Sequence, residues 1–100
     1  MPGALEGLRV IDLTQMLAGP LCTMNLADHG ADVIKVESPK GEDLRQVPPL
    51  IAGESGCYML WNRNKRGITL DLKNADDMAL LLELLADADL LVESFRPGVM

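Results

Sequence analysis

Arg63, Lys65 and Arg66 set three cations within four residues, directly ahead of a β-rich run that Lys73 closes. Guanidinium and ammonium groups gathered this way can neutralise the oxyanions of a phosphate ester, Arg through paired hydrogen bonds and Lys as a point charge. The competing reading is a solvated basic turn that balances nearby acids, and spacing alone favours that one. A second group, Glu93-Ser94-Phe95-Arg96-Pro97-Gly98, puts an aromatic ring beside a guanidinium. Such a pair can flank an adenine by stacking; equally, Phe95 can close the core with Arg96 in solvent. The third group is Ala18-Gly19-Pro20, which follows the β-rich segment Arg9–Leu13 at a strand-to-helix corner. Backbone N–H groups at a helix start can receive an anion. The corner supplies one glycine where the dinucleotide loop G-x-G-x-x-G needs three, so alone it is a weak signal.

Other chemistry is poorly provided for. The chain has one histidine and two cysteines, with no C-x-x-C spacing and no base beside either thiol. Neither a Ser-His-Asp nor a Cys-His arrangement can be assembled, and no metal site is expected. Cys22 sits in an apolar helical stretch and reads as a small buried thiol. Asp12 falls inside a strand, where burial demands hydrogen-bond partners from the following loop, a structural rather than catalytic role. Lys35 and Glu37 alternate along a strand and read as outward or edge-facing. Asp28 and His29, at a helix end, read as exposed.

The elements that would position these groups follow from periodicity. Four runs rich in Val, Ile and Leu, at Arg9–Leu13, Asp32–Val36, Ile68–Leu72 and Asp89–Glu93, suit strands covered on both faces. Pro20–His29 reads as a helix, with Gly30 placed to end it in a left-handed conformation. Asn74 can cap a second helix, with Asp77 near its positive end. Met78, Leu81, Leu82 and Leu85 then recur at the spacing of one helical face. Strand, helix, strand, a connection, and again strand, helix, strand predict an α/β fold, a Rossmann-like, mostly parallel sheet with flanking helices. Ser38–Ile51, with three prolines and mixed charge, reads as a loop, and Ser55–Trp61 as a short helix or turn.

Composition narrows the function further. At 100 residues the chain is one small domain or a piece of a larger one. Apolar residues make up 48% and aromatics only 3%, so the core must be aliphatic. A formal charge of −6 argues against nucleic-acid binding. No signal peptide is recognisable, and Leu80-Leu81-Leu82, broken by Glu83, is far too short for a membrane span, so a cytoplasmic location is expected. Arg96–Met100 reads as a loop leading onward, and we expect the chain to be the N-terminal part of a longer polypeptide.

Five linked motifs together resemble the start of the class III CoA-transferase family, which includes formyl-CoA and carnitine-CoA transferases and α-methylacyl-CoA racemase. They are Leu5-x-Gly-Leu-Arg-Val-Ile-Asp-Leu-Thr14 with Leu17-Ala-Gly-Pro20; Leu26-Ala-Asp-x-Gly-Ala-Asp-Val-Ile-Lys-Val-Glu37; Asn62-Arg-x-Lys-Arg66; Leu70-Asp-Leu-Lys73; and Ala88-Asp-x-Leu-Val-Glu-x-Phe-Arg-Pro-Gly98. They cover almost the whole chain in the family's order.

The resemblance implies that residues 1–100 are the N-terminal part of a CoA-binding Rossmann-like domain, whose remainder and companion small domain lie beyond. It places contacts to CoA or acyl-CoA, here a substrate, on Leu17 and Ala18, on Leu70, Asp71, Leu72 and Lys73, and on Ser94, Phe95 and Arg96. It puts the nucleophilic aspartate beyond residue 100, so no catalytic residue is assigned here and the chain alone is expected to be inactive. The implied reaction moves CoA from an acyl-CoA to a carboxylic acid acceptor, in a dimer whose subunits interlock. Leu17 and Ser38 stand where some members carry Gln and Arg, which argues against formyl-CoA transferase itself. The alternatives are a racemase-like isomerase and a non-catalytic nucleotide-binding module or inactive fragment.

Overall fold

A computed structural model describes residues 3–15, 18–41, 50–51 and 54–94. The strands are β1 (Arg9–Leu13), β2 (Asp32–Glu37), β3 (Leu50–Ile51), β4 (Glu54–Ser55), β5 (Arg66–Thr69) and β6 (Leu90–Glu93). The helices are α1 (Ala18–Asp28), α2 (Gly56–Trp61) and α3 (Ala75–Ala86). Four strands form one sheet in the order β5-β2-β1-β6, every neighbouring pair parallel. Taken in chain order these are the third, second, first and fourth strands, the order of a Rossmann half-sheet. β3 and β4 pair antiparallel as a small separate ribbon.

Strand alternation sends side chains to opposite faces and so defines two layers. On one face Ile11, Leu13, Ile34 and Val36 pack with Leu70 and Leu81, joined by Ile68, Met78, Leu84 and Leu85. This is the layer under α3. On the other face Val10 and Val33 pack with Ala27 and Ala31, flanked by Leu26 and Val92, beneath α1. α1 buries Pro20, Thr23, Met24 and Ala27, one stripe at helical spacing. It ends at Gly30, whose φ of +105° suits glycine, and Ala31 N–H returns to Leu26 O at 3.1 Å. α3 is capped as expected: Asn74 Oδ1 accepts from the N–H groups of Asp76 and Asp77 at 2.9 and 3.2 Å.

Several sequence expectations are corrected. Cys22 is exposed, because the buried stripe of α1 runs through positions 20, 23, 24 and 27 and leaves 22 on the solvent side. Leu82 is 59% exposed, and Leu84 takes its place against the core. β5 starts and ends earlier than the apolar run suggests. Leu70 N–H still donates to Glu37 O at 2.9 Å, but Asp77 Oδ2 then accepts from Asp71 N–H and turns the chain toward α3. Lys35 and Glu37 are buried, at 2% and 9% exposure, on the side of β2 opposite Ile34 and Val36.

Candidate functional site

All four parallel strands deliver their carboxyl ends to one edge of the sheet, where open α/β sheets bind ligands. A cleft of about 170 Å3 lies on this edge, lined by Leu13, Gln15, Val36, Glu37, Ser38, Leu70, Asp71, Leu72 and Lys73. Leu13, Val36, Leu70 and Leu72 make it mainly apolar. Pockets that enclose a drug-sized ligand run to roughly 300–1,000 Å3, so this one can seat a single ring system or one end of a longer molecule. The run 70–73 owes its shape to Asp71. Its Oδ1 accepts from Lys73 N–H at 3.0 Å, and its carbonyl accepts from Asn74 N–H at 2.9 Å, which sets Lys73 at the rim ahead of α3. Glu37 also lines the cleft, and its carboxylate accepts a hydrogen bond from the Tyr58 hydroxyl. Lys73 is exposed and is the cation among the described lining residues.

The other sequence-predicted residues distribute as follows. Ala18 is the first residue of α1, exposed, on the same sheet edge but outside the cleft lining. Ser94, also exposed, follows β6 directly. β6 and β5 are the two edge strands, three interstrand spacings apart, which is roughly 14 Å. Leu17, Phe95 and Arg96 lie outside the described residues. Gln15 and Glu37 line the cleft and were missed from the sequence. The signal available for both was their position at the carboxyl ends of β1 and β2.

The basic run 62–66 is committed elsewhere. Arg63 donates to both Asp28 carboxylate oxygens, at 3.3 and 2.7 Å, and Asn64 donates to Oδ1 at 2.7 Å. These bonds, Arg63 foremost, hold the Asp28 carboxyl below its ordinary range. Arg66 forks onto Asp32 at 3.0 and 2.6 Å. Lys65 is buried against Asp12. The acid-balancing reading that spacing favoured is the one these contacts bear out, with each cation assigned to an aspartate of the first strand-helix-strand unit.

Beneath the cleft edge, on the α1 side, lies a buried polar knot. The Asp12 and Lys65 side chains are 0% and 2% exposed, with Nζ 2.9 Å from Oδ2. Asp12 Oδ2 also accepts from the Thr23 hydroxyl at 2.7 Å, and Oδ1 accepts from Thr14 N–H at 2.8 Å and from the Thr14 hydroxyl. Lys65 Nζ donates further to Pro20 O at 3.2 Å and Asn62 Oδ1 at 2.8 Å, while Lys35 Nζ donates to Thr14 O at 2.9 Å. Burial pushes the Asp12 carboxyl up. The hydrogen bonds from Thr14 and Lys65, with the charges of Lys35 and Lys65, outweigh it and hold the group below its ordinary range. Gly19 completes the corner: a Cβ there would collide with the Thr14 side chain.

Among the described residues no helix is long and apolar enough to cross a membrane. Nor do three or more His, Cys, Asp or Glu side chains gather there as a metal site.

Comparison with known proteins fits this arrangement. The model of CoA-transferase family III matches residues 5–100. A succinyl-CoA:mesaconate CoA-transferase of Haloarcula hispanica is 48% identical over 98% of this chain and 26% of its own length. Human succinyl-CoA:glutarate CoA-transferase is 47% identical over 94% of the chain and 22% of its own. The crystal structure of a CaiB/BaiF family protein from Brucella suis superposes with a TM-score of 0.92 at 40% identity, over 98% of this chain and 27% of that one. The chain thus spans about a quarter of the length of these relatives. With a match across nearly every residue and a shared parallel sheet, the chain belongs to CoA-transferase family III.

Proposed function

We propose that this chain is the CoA-binding N-terminal region of a class III CoA-transferase that moves CoA from an acyl-CoA to a carboxylic acid acceptor. One observation carries the reading: Leu70, Asp71, Leu72 and Lys73, the run that the family resemblance assigns to CoA, form one wall of the cleft at the carboxyl edge. The apolar lining suits the adenine, and Lys73 at the rim suits a phosphate of the same end. The rest of the molecule extends along the sheet edge past Ala18 toward Ser94, and the family resemblance assigns Leu17, Phe95 and Arg96 to the same ligand. An extended ligand can bridge the roughly 14 Å between the edge strands.

The reaction requires an aspartate from beyond residue 100. Its carboxylate attacks the thioester carbonyl, the C–S bond breaks, and CoA leaves as the thiolate with an acyl-aspartyl anhydride formed. The thiolate then attacks the aspartyl carbonyl and expels the donor carboxylate, leaving an aspartyl-CoA thioester. The acceptor carboxylate repeats the sequence in reverse, regenerating the aspartate and a new acyl-CoA. Dividing one transfer into covalent steps follows the general logic of nucleophilic catalysis. The reading includes an interlocked homodimer in the cytoplasm, with no part for nucleic acid or membrane.

Calorimetric titration of the intact protein with CoA, dephospho-CoA and NAD tests it. CoA is expected to bind and NAD not. Lys73→Ala should weaken CoA by about tenfold, or 1.4 kcal/mol, and dephospho-CoA much less. Equal losses for the two ligands reject Lys73 as a partner of the 3′-phosphate. Isotope exchange between two acids, against loss of chirality next to the thioester, separates transferase from racemase.

A further inference from the structure

The cleft residues are only as well placed as the backbone that carries them, and the β1–α1 corner is tied at both feet. At the strand foot, the peptide groups around Thr14 are held from two sides: Asp12 Oδ1 accepts the N–H at 2.8 Å, and Lys35 Nζ donates to the carbonyl at 2.9 Å. At the helix foot, Lys65 Nζ reaches Pro20 O at 3.2 Å and the Thr23 hydroxyl donates to Asp12 Oδ2 at 2.7 Å. The two feet share one carboxylate and one ammonium, joined at 2.9 Å. Lys65 comes from the turn after α2 and is itself oriented by Asn62 Oδ1 at 2.8 Å. Between the feet lie Gln15, which lines the cleft, and Ala18, which opens α1. No group of this knot lines the cleft itself.

We infer that Lys65 is a positioning residue for ligand binding, holding the β1–α1 corner against the cleft through Asp12 and the Pro20 carbonyl. The inference rests on the CoA reading given above. It deepens that reading by assigning binding energy to a buried side chain that touches no part of the cleft. A buried pair that served only to hold the fold together would behave differently when both charges are removed together. Losing Lys65 leaves the Asp12 carboxylate with the Lys35 charge as its buried counterpart, whereas removing Asp12 and Lys65 together takes one charge of each sign from the knot and leaves Lys35 donating to Thr14 O. The tie to Pro20 is lost in either case.

Lys65→Met and the double variant Asp12→Asn/Lys65→Met of the intact protein distinguish the two roles. CoA affinity is measured by calorimetry, thermal stability by circular dichroism, and corner order by amide hydrogen exchange at Gln15 and Gly19. The double variant, in which the buried Lys35 still donates to Thr14 O, should melt below wild type. Its CoA affinity should stay at least tenfold below wild type, with Gln15 and Gly19 exchanging faster. Recovery of wild-type CoA affinity in the double variant overturns the inference. Should Lys65→Met fail to fold, the double variant decides alone: native-like dichroism with weakened CoA supports positioning, and wild-type affinity refutes it. A wild-type protein that binds no CoA sinks the functional reading instead. The exchange rates at Gln15 and Gly19 then still decide whether the clamp orders the corner, and unchanged rates overturn it.

Discussion

The two faces of the parallel sheet are built on opposite physical terms. Under α3, Ile11, Leu13, Ile34 and Val36 meet Leu81 in a layer with no buried charge among its core residues. Under α1, the apolar packing of Val10 and Val33 gives way toward the carboxyl edge to Asp12, Lys35, Thr23 and Lys65, all buried by side chain. The first face is held by non-directional burial, which tolerates exchange of one aliphatic for another. The second is held by directional bonds whose groups must all be present, since each unpaired one would cost its full desolvation. The non-directional face supports the sheet, and the directional face fixes the corner at the ligand edge.

The comparison can be broken by mutation. The largest effect is expected for Lys65→Met, which leaves the Asp12 carboxylate buried beside Lys35 alone; denaturant unfolding should show a loss of about 3–5 kcal/mol. Leu81→Ala, the corresponding change on the apolar face, should cost about 2–5 kcal/mol. Because Leu81 packs with Leu13, Val36 and Leu70, which line the cleft, its loss should weaken CoA as well, but without faster amide exchange at Gln15 and Gly19. If Leu81→Ala speeds exchange at Gln15 and Gly19 as much as Lys65→Met does, the division of labour between the faces fails.

Acid sharpens the contrast. The folded Asp12 carboxyl lies below its ordinary value of 3.8, so the unfolded chain binds that proton more readily. Its stabilising contribution is therefore complete above about pH 4 and is lost as pH falls through the depressed folded value. Asp12→Asn should flatten this part of the stability curve below pH 4, and an unchanged slope would deny the carboxylate its role. The smallest effect is expected at the cap of α3, where Asn74→Ala should cost about 1 kcal/mol and shift the melting temperature without altering the α1 side.

The same contrast explains what could be read from the sequence. The apolar face was legible because Val, Ile and Leu recur within single runs, so each strand declares itself locally. α1 and α3 declared themselves by stripe and cap in the same way, the stripe failing only at Cys22 and Leu82. The polar face was not legible, because its partners meet only in three dimensions. Asp12 and Lys65 are 53 positions apart, and nothing local marks them as a pair. Lys35 and Glu37 looked outward since an isolated strand gives no sign of Thr14 O waiting above one or the Tyr58 hydroxyl above the other. For the same reason spacing could favour an acid-balancing role for Arg63, Lys65 and Arg66 over phosphate binding without naming the acids. Their counter-charges Asp28, Asp12 and Asp32 belong to a unit more than thirty positions earlier. The run Leu70–Lys73 was placed at the ligand edge by resemblance, and the cleft lining adds Gln15 and Glu37 to it.

Gly19 carries a practical corollary for anyone redesigning ligand preference. Because even a methyl group at that position would run into Thr14, the corner behaves as a fixed chassis that resists diversification. Libraries that randomise Gln15, Ser38 and Leu72, which line the cleft, should yield folded variants with altered selectivity. Libraries that touch residue 19 should yield mostly misfolded protein.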